Sequence, residues 1–438
     1  MRNPLSLPRL SCSLLLLPCM LHAQAVPSSA GGTPSAVGQS ATADMLTYSL
    51  SVSNSIITGY SGINGLSDSF NIAGNAGYVS GSERHPTSFV YSGGYLFGNN
   101  GQPSSSFQNF GVSQVLNTRK WTFVVSDSVS FLPSTPRYGL AGVPGVGDVG
   151  STPIATGQQS SDALLTNYGQ RITNSASGSA DYRFTGRTDV QMFAGYTTQH
   201  FLNGGGAYTT AGLLGGSGIN NNQLSAGAQL NHRVSAATTV GGDYTYSHST
   251  YPSPNNFSFT SHALLATYGH TFSPRLSLQA SAGPQWTSGS NATIFPTRLG
   301  VAANLNVTYV AGRTNYSLGY GRSTSTGSGV LLGAVTDYAS FAGQRRFSER
   351  WNGGFFSGYG HGQSLSNDPT LYTTSNSFTA GLQANRSFGQ HVSVFGSYAV
   401  QYQSVGRLIA TTNAFDGVAH VISFGATYTP RSIHLGRR

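Results

Sequence analysis

The feature that most constrains this chain is a two-residue rhythm that returns in segment after segment. Leu224, Ala226, Ala228 and Leu230 alternate with Ser225, Gly227, Gln229 and Asn231. Leu276, Leu278, Ala280 and Ala282 alternate with Ser277, Gln279, Ser281 and Gly283. Leu299, Val301, Ala303, Leu305, Val307 and Tyr309 alternate with Gly300, Ala302, Asn304, Asn306 and Thr308, and Phe378, Ala380, Leu382 and Ala384 with Thr379, Gly381, Gln383 and Asn385. Successive side chains of a strand point to opposite faces, so this period puts every apolar residue on one side and every polar one on the other. Each segment runs about ten residues, the length a tilted strand needs to cross a bilayer.

The connections between segments fall into two alternating classes. One is short and often carries Arg, as in Asn117-Thr118-Arg119-Lys120, Thr185-Gly186-Arg187-Thr188, Ser273-Pro274-Arg275 and Ala311-Gly312-Arg313-Thr314. The other is long and rich in Gly, Ser, Asn and Pro: 133–168, 202–222, 249–256, 287–297, 323–332, 361–375 and 403–418. An up-and-down barrel with tight turns on the periplasmic side and longer loops outside has this arrangement. Phe184, Phe272, Phe347 and Phe388 beside the short turns fit an interfacial girdle, with neighbouring arginines burying their stems. Strands are expected to start near 45, 68, 88, 107, 121, 171, 188, 223, 238, 257, 275, 299, 314, 334, 351, 376, 391 and 419. That makes about eighteen antiparallel strands, or sixteen if the first two are not strands. A barrel of this size is wide enough for an aqueous channel. A propeller of the same period needs four short strands per repeat, and a β-helix has a shorter repeat.

Composition agrees. Of 438 residues, 57 are Gly, 46 are Phe or Tyr (23 each) and only 35 are charged (22 Lys+Arg, 13 Asp+Glu). The charged share of 8% is about a third of that in soluble domains. Poor helix formers and the scarcity of Glu/Lys pairs disfavour helical bundles, and with them an ordinary cytosolic enzyme. The net charge of +9 is thinly spread: Lys120 is the only lysine, and the arginines are scattered along the chain with no run longer than two. No basic patch of the kind nucleic acid requires is present.

Residues 1–25 read as a cleaved secretory signal peptide, with Arg2 and Arg9, an apolar stretch from Leu10 to Leu21, and Ala23-Gln24-Ala25 as the cleavage site. Cys12 and Cys19 both lie inside it, so the mature chain is expected to be free of cysteine; Pro18 disfavours a lipoprotein reading at Cys19. Residues 26–44 read as a flexible periplasmic tether, 45–430 as the transmembrane barrel and 431–438 as a basic tail. A tether of this length leaves no room for a plug domain of the TonB-dependent kind. No later run approaches 18 apolar residues, so no transmembrane helix is expected.

The chain resembles a bacterial outer-membrane β-barrel of the porin-like kind over roughly residues 45–430. The resemblance rests on the strand pattern and on the closing segment. Ser423-Phe424-Gly425-Ala426-Thr427-Tyr428-Thr429-Pro430 follows the polar-x-Gly-x-x-aromatic-x-aromatic form such barrels end on, until Pro430 replaces the last aromatic. The tail from Arg431 to Arg438 then runs past the usual stop. The resemblance implies a location in the outer membrane of a Gram-negative cell, with membrane lipid around the wall. A homo-oligomer stays open, since nothing in the sequence marks an interface.

The polar face must then line the lumen, and it is mostly Ser, Thr, Asn, Gln and Gly. Arg171, Asp181, Arg183, Asp189, Arg233 and Asp243 fall on this face, either as part of a charged constriction or as wall supports near the turns. The Gly/Pro-rich segment 133–168 either narrows the barrel from inside or covers it from outside. Its Gly145-Val146-Gly147-Asp148-Val149-Gly150 matches a dinucleotide pattern without the strand and helix that pattern requires. No nucleophile elbow, zinc-protease motif or phosphate-binding loop is present, and no metal or cofactor is implied. The expected function is passive passage of small or neutral polar solutes, saccharides among them, for uptake or for polysaccharide export. A non-conducting surface adhesin and a barrel hydrolase, the latter resting on His200, His248 or His262 near the loops, are the alternatives.

Overall fold

The alternating segments fold as long antiparallel strands. The computed structural model describes residues 44–59, 66–82, 84–99, 104–132, 170–202, 220–252, 256–292, 294–326, 333–367, 374–405 and 417–435. The leader, tether residues 26–43 and segment 133–168 lie outside the described residues. In chain order the first strands are β1 Met45–Thr58, β2 Ser67–Val79, β3 Thr87–Gly98, β4 Ser105–Asn117, β5 Trp121–Leu132, β6 Arg171–Arg183, β7 Thr188–Phe201, β8 Asn221–Arg233 and β9 Thr238–Tyr251. Then come β10 Phe257–Ser273, β11 Leu276–Gly289, β12 Arg298–Ala311, β13 Thr314–Ser325, β14 Ala334–Arg346, β15 Trp351–Ser364, β16 Thr374–Phe388, β17 Val392–Val405 and β18 Gly417–Tyr428. Their starts fall within two residues of those the alternation predicts.

Each strand pairs antiparallel with its sequence neighbours, and β18 pairs with β1 as well as with β17. Ser55↔Ser423 and Leu50↔Tyr428 lie in that closing ladder. The chain is therefore a closed barrel of eighteen antiparallel strands, all-β among the described residues, and the sixteen-strand alternative does not apply. Closure leaves no row of unpaired backbone groups along a sheet edge.

A nineteenth, two-residue strand, β19 Ile433–His434, was not expected. β1 begins at Met45, whereas its ladder with β18 starts only at Leu50. β19 occupies part of the overhang by pairing Met45↔His434 and Leu46↔Ile433, and the Leu435 amide donates to the Asp44 carbonyl at 2.9 Å. Pro430 lies between the two pieces and cannot donate to a ladder. The departure from the closing signature is thus where the chain leaves β18 and moves onto β1.

The two faces separate as the period requires. Leu50, Val125, Leu224, Leu264, Val301, Leu318, Leu382 and Phe424 are exposed on the outside. Ser51, Thr173, Gln223, Ser261, Thr287, Ser317, Ser375 and Ser423, of opposite parity, face inward. Inside, hydroxyls form cross-strand rungs: Ser55–Ser423 at 2.8 Å, Ser88–Ser113 at 2.9 Å and Ser126–Ser177 at 2.7 Å. Two glycines show what the fold demands locally. Gly312 holds φ +57° at the first central position of the two-residue turn joining β12 to β13, where a side chain would be strained. At Gly381 an added Cβ would sit 2.5 Å from a ring carbon of Phe356, so the inward Phe356 lies flat across β16 only because no side chain is there.

Candidate functional site: the lumen and its narrow end

All six charges singled out in the sequence stand at inward-facing positions, but not at one level. Arg183 and Asp189 are directly opposite across the β6–β7 ladder. Asn231 Nδ2 donates to Asp189 Oδ2 at 3.1 Å, and Gln229 Nε2 to Asn231 Oδ1 at 3.1 Å. Gln229 is in register with Asp243, which is buried on β9. Asp181 lies opposite Gln191, and Arg233 opposite Thr239. The strands β6 to β9 thus bring five of the six into one sector toward the short-turn end. Arg171 is at the other end of β6, twelve residues from Arg183, about 40 Å along the strand.

Burial changes along the barrel. Some inward residues from mid-wall to the short turns, such as Ser177, Gln279, Asn304 and Asn315, are exposed to the lumen, whereas others there, such as Asp243, Ser317, Asn385, Phe395 and Thr427, are buried. Those toward the long loops, such as Gln199, Asn221, Ser249, Ser261, Ser364, Ser375, Gln403 and Ala419, are buried. Exposed inward positions thus lie from mid-wall to the short turns, and burial is densest toward the long loops.

Part of that filling is an apolar cap. Tyr251 and Phe259 point inward from β9 and β10 and pack with Phe295 and Leu365, joined by Phe257, Ile294 and Val335. The Tyr251 hydroxyl donates to the Thr326 carbonyl at 2.6 Å. Leu365 N donates to Gly333 O at 3.1 Å, Asn367 N to Ile294 O at 3.1 Å, and the Arg298 guanidinium hydrogen-bonds Asn367 Oδ1. β9 and β13 are four places apart, about 19 Å around the wall, so Ile294 and Phe295, Thr326 and Gly333, and Leu365 and Asn367, at the described ends of three long connections, meet over the inside. On sequence alone these segments read as plain loops. Their apolar residues Ile294, Phe295 and Leu365 inside Gly/Ser/Asn-rich stretches were the signal available.

The outward wall is graded. Across β9 to β12 one row, set by register, reads Tyr246, His262, Trp286, Leu299. Toward the long loops the next row holds His248, Thr260 and Ser288; toward the short turns it is followed by Tyr244 with Leu264, and Pro284 with Val301. At the short-turn end Phe184, Phe272, Phe347 and Phe388 are exposed, as expected of a girdle, and Arg386 lies over the Trp351 and Phe388 rings at 5.3 and 4.6 Å. Tyr hydroxyls in the outward wall find diagonal partners on the next strand, nearer the long loops: Tyr244 with His262 at 2.8 Å, Tyr320 with Asp337 at 2.8 Å, Tyr359 with Asn376 at 2.9 Å and Tyr398 with His420 at 2.8 Å. Among the described residues no three His, Cys, Asp or Glu side chains come together to hold a metal ion.

No protein family and no curated protein matches this sequence. Solved structures similar to it are barrels of low identity. OpdQ of Pseudomonas aeruginosa is 11% identical over 88% of this chain and 98% of its own, with a TM-score of 0.43. OccK2 (OpdF) of the same organism is 9% identical over 90% and 100%, with a TM-score of 0.45. The ferric citrate transporter FecA is 10% identical over 83% of this chain and 60% of its own, with a TM-score of 0.43.

Proposed function

We propose that this protein is an outer-membrane pore for passive passage of small, neutral polar solutes, saccharides among them, reached by export through a cleaved leader at 1–25. The observation that carries this reading is the opposition of the two faces of one closed barrel. The outside is apolar, with aromatic rows near both ends, which suits lipid. The inside is mostly a wall of Ser, Thr, Asn, Gln and Gly, with exposed positions such as Ser177, Gln279, Asn304 and Asn315 from mid-wall to the short turns. An eighteen-strand circumference leaves room for a hydrated channel rather than a packed interior. No covalent step is needed: a solute diffuses through, exchanging water hydrogen bonds for those of the wall. The Arg183–Asp189 sector would set what ionic preference there is, and direction is set by the gradient.

The filled long-loop end favours a second reading, a barrel closed there and used as a surface or adhesion protein. Single-channel recording of purified, folded protein in a planar bilayer separates the two. Discrete, stable steps are expected for the pore, reduced in size by neutral sugars that enter it. Silence from protein shown to be folded and inserted would leave the closed barrel.

A further inference from the structure

Five outward-facing histidines share one geometry. His262 Nδ1 is 2.8 Å from Tyr244 Oη and His420 Nδ1 is 2.8 Å from Tyr398 Oη. His248 Nδ1 is 3.1 Å from Thr260 Oγ1, His232 Nδ1 is 2.9 Å from Thr188 Oγ1, and His270 Nδ1 is 2.9 Å from Thr238 Oγ1. In every case the hydroxyl comes from the neighbouring strand. A hydroxyl donating to Nδ1 places the ring proton on Nε2, which leaves an N–H donor beside the membrane boundary.

On β9 to β11 two of these rings come together with aromatic surface. His248 and His262 are diagonal neighbours, because His248 is in register with Thr260 and His262 with Tyr246; such pairs have Cβ atoms about 7–8 Å apart. The His262 ring stacks on Trp286 at 5.3 Å with 11° between planes, and meets the edge of Tyr246 at 5.2 Å. The imidazole is thus held on one nitrogen and one face. Below it stand Leu264, Pro284 and Val301, all exposed, with Leu299 beside Trp286 at 79% exposure. The outward faces of β7 to β12 carry no Asp or Glu, so no carboxylate competes for these donors or repels an anion.

We propose that this face is a headgroup site for a phosphorylated glycolipid of the outer leaflet. The His248 and His262 Nε2–H groups donate to two oxygens of one phosphate, the Trp286 and Tyr246 rings pack against the attached sugar, and the acyl chains run down the Leu264, Pro284, Val301 and Leu299 surface. The row order, polar to aromatic to apolar toward the barrel's middle, follows the order of parts in such an amphiphile. This rests on the membrane reading given above, and the experiment keeps the two separate.

The chain has three tryptophans, so Trp121→Phe with Trp351→Phe leaves Trp286 as the sole reporter. That protein, in phosphatidylcholine nanodiscs, is titrated with lipid A and with enzymatically dephosphorylated lipid A. A saturable change in Trp286 emission with lipid A alone is expected, weakened about tenfold or more by His262→Leu combined with His248→Leu, which removes both N–H donors to a charged group. Thr260→Val, which removes only the hydroxyl orienting His248, is expected to weaken it less and provides a second test if the double variant misfolds. Equal responses to both lipids, or an unchanged titration in the folded variants, would overturn the proposal. Brominated phosphatidylcholine reports on the membrane reading alone. Quenching of the wild-type tryptophans without phosphate dependence would sink only the headgroup site, and absence of quenching in inserted protein would sink both.

Discussion

The two faces of β9 to β12 are made by the same residues in strict alternation, yet they follow different rules. Outward, the rows change character along the barrel: hydroxyl and imidazole, then aromatic, then Ala and Leu, then Tyr268 and His270. Inward, there is little change of chemistry from Ser277 to Thr287 on β11 or from Thr239 to Ser249 on β9; what changes is burial. His262 and His270 are eight residues apart, about 27 Å along a strand and about 20 Å along the normal of a bilayer at the usual tilt. On the membrane reading proposed above, the outer face is graded against depth because its solvent changes with depth. The inner face meets water and folded-in loops and stays mainly neutral and hydrogen-bonding, with Asp243 and the apolar Tyr251, Phe259 and Ala263 as departures.

The sharpest way to break this comparison uses two adjacent residues. Ala282 faces outward in the row of Gly242, Ala266 and Ala303, near the middle of the apolar band, whereas Ser281 faces inward. Ala282→Arg is expected to cost about 2–4 kcal/mol of stability in a bilayer, as a midplane charge facing lipid does. Ser281→Arg should cost under about 1 kcal/mol, since its charge stays hydrated. Urea unfolding from liposomes measures both. Similar losses would mean that the outside of this barrel does not face hydrocarbon.

A smaller effect is expected where an inward aromatic depends on a missing side chain. Gly381→Ala would press a methyl group into the Phe356 ring and should cost about 1–3 kcal/mol. Adding Phe356→Ala should recover part of that cost, a coupling that unfolding of the four proteins of the cycle reads directly. Additive losses would show that the ring does not lie against the glycine.

For the lumen charges the expected change is in selectivity rather than stability. Arg183→Glu should move the reversal potential in a salt gradient toward cation preference, and Asp243→Lys toward anion preference. If neither moves it, these residues support the wall and do not shape the permeant path.

How much of this was readable beforehand follows from the range of the interactions. Parity is local, so Leu276 to Gly283 alone fixed which side chains of β11 face which way, and strand starts followed from where parity gave way to Gly, Pro and Asn. The inward placement of Arg183 and Asp243 was legible for the same reason. Their heights were not, because Arg171 and Arg183 share parity but stand at opposite ends of β6. The cap was out of reach: Tyr251, Thr326 and Leu365 are brought together by closure of the whole barrel. The imidazole orientation fell in between. His248 and His262 share parity with Tyr244 and Leu264, which placed them outward, but their hydroxyl partners depend on the β9–β10 register. β19 could not be anticipated from its own two residues, since it exists because β1 outruns β18.

The finest test compares single hydroxyls on the two faces. Tyr398→Phe removes the outward hydroxyl that His420 Nδ1 contacts at 2.8 Å, on the face opposite the lumen. The imidazole then loses this partner, and a cost of about 0.5–1.5 kcal/mol is expected. Ser126→Ala breaks the inward Ser126–Ser177 contact at 2.7 Å, but Ser177 is exposed to the lumen and water can take the vacated place. Its cost should fall below about 0.5 kcal/mol. The two substitutions each delete one oxygen from a cross-strand pair, so the difference between them isolates the medium on either side of the wall. If Ser126→Ala proved the costlier, the short-turn half of the lumen would have to be dry, and passage of hydrated solutes through it would fail with it.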